Sequence, residues 1–143
     1  MITRITIRSA TIVLLISFIF LSGCKDSNKT INEPNYEDIT AQEAFSLIQD
    51  NKENKNFVIL DVRTPEEYAS GHLENAVNIN FNSPSFQESL STLDKNNSYL
   101  IYCRTGMRSS NAFEMMKSLG FNMVSNMSGG IIEWENNGLP TVK

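Results

Sequence analysis

Tyr99-Leu-Ile-Tyr-Cys-Arg-Thr-Gly-Met-Arg-Ser-Ser110 is the stretch whose reading decides the fold. Ser98 to Tyr102 is dense in aromatic and branched apolar residues and reads as a strand. A cysteine closes it, and a short loop with one glycine follows. From about Met107 the pattern turns helical: Ala112, Met115, Met116 and Leu119 mark one apolar face, and Gly120 is placed to end the helix. A strand feeding directly into a helix is the repeating unit of α/β proteins, whose ligands bind beyond the carboxyl ends of the strands. Cys103 stands at such an end.

The flanking segments repeat the alternation. Thr40-Ala-Gln-Glu43 forms a capping box, and Ala44, Leu47 and Ile48 continue a helical face to about Asp50. Phe57-Val-Ile-Leu60 is a short apolar run suited to a strand buried on both faces of a parallel sheet. Thr64-Pro65-Glu66-Glu67 opens a short helix, with proline at its first position and acids at the positive end of its dipole. Ala76 to Ile79 is a further strand, and residues 83–93 read as a helix through Phe86, Leu90 and Leu93. Val124 to Met127 is a fourth strand, and Gly129-Gly130 starts a last helical turn through Trp134. The expected class is α/β, with a central, mostly parallel sheet.

The loop after the cysteine carries the chemistry. Amide groups of residues 104–108, together with the positive end of the new helix, would favour the thiolate of Cys103. A thiolate attacks sulfur or phosphorus electrophiles. Gly106 allows a tight cradle, and Arg104 and Arg108 offer forked positive charge to an anionic substrate. A buried structural cysteine is the plain alternative, but it has no use for two flanking arginines and a glycine loop.

Cys-Arg-Thr-Gly-Met-Arg-Ser resembles the active-site loop of single-domain rhodaneses. Asp61-Val-Arg-Thr-Pro-Glu-Glu-Tyr-Ala-Ser-Gly-His-Leu-Glu-Asn-Ala-Val-Asn-Ile79 is similar to the first signature of that family, and Gly129-Gly130 with Trp134, Gly138 and Pro140 to its C-terminal one. The resemblance implies a rhodanese-like three-layer α/β/α domain with about five strands, spanning residues 39–143. It implies a sulfurtransferase that takes a sulfane sulfur from a donor such as thiosulfate onto Cys103 and passes the persulfide sulfur to a thiol or to cyanide. Cys103 is then the catalytic residue, and Arg104, Thr105, Gly106, Met107 and Arg108 bind the substrate. One departure is visible: Leu73-Glu74-Asn75-Ala76 stands where the family commonly follows its Gly-His-Ile with Pro-Gly-Ala.

Phosphatases of this fold and related arsenate reductases carry one more residue between cysteine and arginine. The four residues between Cys103 and Arg108 make a smaller ring that suits a terminal sulfur. A persulfide carrier or envelope binding module without turnover is the other alternative. His72, the single histidine, reads as structural, because a stabilised thiolate needs no base. Asp61 and Arg63 read as ties between the strand end and neighbouring loops. Neither metal-ligand spacing nor a Gly-rich nucleotide fingerprint occurs, so no cofactor is expected.

The amino-terminal part is a targeting element. Arg4 and Arg8 precede a largely apolar stretch over residues 10–20, long enough for a signal peptide and short for a spanning helix. Leu21-Ser-Gly-Cys24 follows it and resembles the lipobox of bacterial lipoproteins. Residues 1–23 are thus expected to be removed, Cys24 to be lipidated, and residues 24–38 to form a flexible tether. Lipid on Cys24 leaves Cys103 as the sole thiol of the two cysteines. The expected location is the bacterial cell envelope, on the periplasmic face of a membrane. Lys25, where some inner-membrane lipoproteins carry aspartate, tilts this toward the outer membrane. Loss of Arg4 and Arg8, with no acid removed, takes the net charge from −4 to −6, which disfavours nucleic acid as a partner. The partners expected are a small sulfur-donor anion and a thiol acceptor, a thioredoxin-like protein among the candidates.

Overall fold

The computed structural model describes residues 33–143. The expected signal peptide, the lipidation site Cys24 and the tether up to residue 32 lie outside the described residues. Five strands, β1 (Asn35–Ile39), β2 (Phe57–Asp61), β3 (Val77–Asn78), β4 (Ser98–Tyr102) and β5 (Met123–Met127), alternate with five helices, α1 (Ala41–Asp50), α2 (Pro65–Ser70), α3 (Phe86–Ser91), α4 (Met107–Ser118) and α5 (Gly130–Asn136). The strands form one sheet in the order β1-β5-β4-β2-β3, and every neighbouring pair is parallel. The sheet is thus of the expected class, with β4 at its centre.

Alternation along β4 sorts its side chains between two cores. Ile101 and Cys103 join Leu60, Ala112, Phe113 and Met116 on the α3 and α4 side. Leu100 and Tyr102 join Ile39, Ala44, Ile131 and Trp134 on the α1 and α5 side. The sheet is the middle of three layers, and the cysteine side chain takes the face beneath α4.

Two elements differ from the sequence reading. Asn35–Ile39 is a strand, hydrogen-bonded in parallel register to β5 from Asn35↔Met123 to Ile39↔Met127. Residues 35–38, expected as tether, are therefore part of the sheet. β1 is an edge strand whose side chains are mostly exposed, so it lacks the apolar pattern that marks buried strands. Its polar residues are tied across the sheet: Ser125 Oγ donates to Glu37 Oε1 at 2.9 Å, and Asn126 Nδ2 to Asp38 Oδ1 at 2.6 Å. The third helix is also shorter than the span 83–93, because Ser83 to Ser85 form a turn in which Phe86 N donates to Ser83 O.

The departure at Leu73-Glu74-Asn75-Ala76 is accommodated by backbone geometry. Ala76 N donates to Leu73 O at 3.0 Å, closing a tight turn. Asn75 takes φ 63°, the only left-handed residue other than glycine among those described. Asparagine tolerates this region better than other side chains, so it fills the position that glycine commonly holds.

Candidate active site

The turn from β4 into α4 forms the site. Cys103 is 1% exposed, so its sulfur draws little support from water. Gly106 N–H donates to Sγ at 3.1 Å. Gly106 itself has φ 95°, a conformation that lets the loop fold back on the sulfur without a Cβ in the way. Burial pushes the Cys103 thiol up. The Ser109 amide and hydroxyl and the amides of Thr105 and Gly106 outweigh that, and the net shift is downward. The Ser109 hydroxyl donates to Gly106 O at 3.0 Å; its single hydrogen can rotate from that carbonyl to an ionised sulfur instead. Ser109 is fully buried, so this donor is shielded from solvent.

The loop is held from behind by α5. Ile131 N donates to Cys103 O at 2.9 Å, and Ile132 N to Arg104 O at 3.2 Å. With the carbonyls of Cys103 and Arg104 engaged there, the succeeding amides are left to turn toward the sulfur. A Cβ on Gly130 would fall on the Cys103 carbonyl oxygen and within 2.6 Å of the Arg104 carbonyl carbon. Only glycine permits this approach.

A second frame fixes the neighbouring strand end. Asp61 and Arg63, both buried, form a closed pair: Arg63 Nη2 donates to Asp61 Oδ2 at 2.6 Å, and Arg63 Nε to both carboxylate oxygens at 2.9 and 3.0 Å. Arg63 Nη2 also donates to Gly71 O at 2.7 Å. Asn78 Nδ2 donates to the carbonyls of Asp61 and Arg63. Tyr102 lies beneath the Arg63 guanidinium, and its hydroxyl accepts from Leu73 N at 3.1 Å. Burial first, then the nearby Asp61 carboxylate, pushes the Tyr102 phenol far up, so it stays neutral. His72 exchanges two backbone hydrogen bonds with Val142 and stacks on Tyr68 at 3.8 Å between ring centroids. These contacts give it structural work.

The arginines of the loop are not alike. Arg104 is exposed, as are Thr105 and Met107. Arg108 is turned away from the role of a free fork. Its Nη1 and Nη2 donate to Glu67 Oε2 and Oε1 at 2.7 and 2.8 Å, a bidentate pair. The sequence marks Glu67 only as an acid at the positive end of the α2 dipole; it also closes a capping box, accepting from Thr64 N at 3.0 Å. Its partner lies 41 residues away, and no local pattern connects them. Ser109 was likewise without an assigned role. Among the described residues, no three His, Cys, Asp or Glu side chains stand together as a metal-binding group.

Residues 43–137 match the model of the rhodanese-like domain. The chain belongs to the rhodanese-like family. It is 31% identical over 138 residues to rhodanese-like domain-containing protein 17 of Arabidopsis thaliana, covering 88% of this chain and 85% of that protein. It is 34% identical over 97 residues to a sulfurtransferase of Allochromatium vinosum, covering 68% of this chain and 89% of that one. The crystal structure of a rhodanese-related protein from Thermoplasma volcanium superposes with a TM-score of 0.63 at 32% identity, covering 75% of this chain and 98% of that one. The rhodanese-like domain therefore carries its loop cysteine on the sheet expected of the family, and sulfurtransferases are among its relatives.

The Glu67–Arg108 pair has a consequence for pH. Hydrogen bonds from Arg108 hold the Glu67 carboxyl down at about 2, against the opposing effect of burial and with help from the Thr64 amide. A carboxylate whose pKa is depressed in the folded state adds stability above its unfolded pKa of about 4.3 and loses it as pH falls toward the folded value. The pair is about a quarter exposed, so its contribution is screened to at most about 1 kcal/mol. Urea unfolding of wild type and Glu67→Gln should show wild type more stable at pH 7, with the gap closing between about pH 5 and pH 2. A gap that stays constant across that range would contradict the pairing.

Proposed function

We propose that this domain is a sulfurtransferase that carries the transferred sulfur on Cys103 as a persulfide. The observation that carries the reading is the buried Cys103 sulfur facing the Gly106 amide at 3.1 Å, with Thr105 and Ser109 adding donors. The thiolate attacks the outer sulfur of a donor such as thiosulfate. A sulfur–sulfur bond forms at Cys103, the bond between the outer sulfur and the sulfonate breaks, and its electron pair leaves with sulfite. The persulfide Cys103–S–S⁻ carries one negative charge, as the thiolate did, so the same amides suit both states. A thiol acceptor in its thiolate form then attacks the outer sulfur, takes it as a new persulfide and returns Cys103 to the thiolate. No general base is required in either step, which fits the structural employment of His72. Arg104, Thr105 and Met107 form the exposed rim over which donor and acceptor approach.

Attachment to a membrane of the cell envelope through lipid on Cys24 is part of the same proposal. It is supported by the apolar stretch before Leu21-Ser-Gly-Cys24. A thioredoxin-like protein is a fitting acceptor in that setting. The oxyanion chemistry of phosphatases and arsenate reductases fits less well, because the four residues between Cys103 and Arg108 make a smaller ring than theirs.

Two measurements test these statements. Purified protein should release sulfite from thiosulfate in the presence of a thiol or cyanide, and Cys103→Ser should fall to the uncatalysed background; equal rates for the two would refute the enzyme. In bacterial cells, wild type should sediment with membranes and Cys24→Ser should appear in the soluble fraction. Identical distribution of the two would refute the anchor.

A further inference from the structure

We infer that Glu67 sets the charge preference of this site, favouring sulfur donors with at most one negative charge over dianions such as thiosulfate, which it turns over less efficiently. The inference rests on the sulfurtransferase reading and deepens it. The loop sequence, with two arginines flanking the thiol, invites the expectation of a strongly positive mouth. The structure divides that charge differently. Both Arg108 donors face the Glu67 carboxylate at 2.7 and 2.8 Å, and both side chains are about three-quarters buried. Glu67 is itself held by the Thr64 amide at the start of α2, so the carboxylate is fixed where it meets Arg108. The pair lies close to the reacting sulfur, because Arg108 is in the first turn of α4, two residues after the Gly106 amide that donates to Cys103 Sγ.

The local charges follow from this arrangement. The Cys103 thiolate and the Glu67 carboxylate contribute two negative charges, and Arg108 contributes one positive charge. The other loop cation, Arg104, is exposed and appears in no ion pair of the described residues; its charge is the one most weakened by solvent and salt. A dianion such as thiosulfate must enter against a net negative inner site. A persulfide or another donor with no charge or one charge meets a smaller barrier. Coulomb energy scales with ligand charge, so the penalty on a dianion is twice that on a monoanion. Glu67 touches neither donor nor sulfur in this scheme. It is a positioning and charge-setting residue that acts through Arg108.

Charge selectivity can be read with two donors of similar reacting atoms. Thiosulfate is a dianion, and an alkanethiosulfonate is a monoanion. In both cases Cys103 thiolate attacks the outer sulfur, and the electron pair of the broken sulfur–sulfur bond leaves on sulfite or on an alkanesulfinate. The quantity to measure is the ratio of kcat/KM for thiosulfate to that for methanethiosulfonate, at low salt and at a pH where the thiol is ionised. The active fraction of the enzyme cancels from this ratio. Glu67→Gln keeps a side chain that completes a capping box while removing the charge. It should shift the ratio toward thiosulfate about three- to tenfold, with the change in KM rather than kcat. Glu66→Gln removes the same charge from the adjacent exposed position and should leave the ratio within about twofold, since exposed charges are strongly screened.

A second pair of reagents makes the test independent of sulfur transfer. Alkylation of Cys103 by iodoacetate, a monoanion, and by iodoacetamide, which is neutral, displaces iodide in both cases. Their rate ratio should rise about two- to fourfold in Glu67→Gln. If wild type transfers sulfur from neither donor, the sulfurtransferase reading fails, while the alkylation ratio still decides whether Glu67 sets the charge. Unchanged ratios in Glu67→Gln, or an equal shift in Glu66→Gln, would overturn the inference.

Discussion

A sulfur atom with almost no exposed surface carries charge only if something replaces the water it has lost. In this domain the replacement is a ring of hydrogen-bond donors at the β4–α4 turn, with the Gly106 amide in contact with Sγ and the Thr105 and Ser109 donors around it. The rest of the structure serves that ring. The carbonyls of Cys103 and Arg104 point back to α5, Gly130 brings α5 near enough to receive them, and β4 occupies the middle of the sheet. Such donors cost little reorganisation when charge moves onto the sulfur, because the fold has already oriented them.

Two buried or half-buried ion pairs stand beside this ring and do different work. Asp61–Arg63 is closed on itself and on backbone carbonyls, so it fixes the end of β2 and presents no free charge. Such a pair is retained more for the geometry it imposes than for net stability, since both charges lose hydration on burial. Glu67–Arg108 is more open and faces the thiol loop. One pair frames the site, and the other tunes its electrostatics.

Most of the fold was legible because buried parallel strands advertise themselves. Phe57-Val-Ile-Leu60 and Ser98-Tyr-Leu-Ile-Tyr102 are short apolar runs, and the Thr40 capping box and the Thr64-Pro65 start mark helix beginnings; the strands and both helices are present, and Thr64 forms a reciprocal box with Glu67 as well. β1 was hidden by its position. An edge strand needs few apolar residues, and Asn35-Tyr-Glu-Asp-Ile, with Ile39 as its one buried side chain, reads as polar linker until its pairing with β5 is seen. In the site, the thiol loop could be read because strand, cysteine, glycine and helix are contiguous. The Glu67–Arg108 pair could not, because it joins residues far apart in sequence and an acid in the first turn of a helix already has a sufficient local role at the dipole. Ser109 was obscured in another way: one serine among several in a helix carries no mark until its burial is known.

The ionisation of Cys103 is the property on which this account stands. The direct measurement is the rate of Cys103 alkylation by iodoacetamide as a function of pH in the folded domain, with Ser109→Ala for comparison. The account predicts a midpoint below the value of about 8.5 for a free thiol, moved upward in Ser109→Ala as one donor is lost. A midpoint at or above that of free cysteine in the wild-type protein would show that burial prevails over the amide ring, and would contradict it.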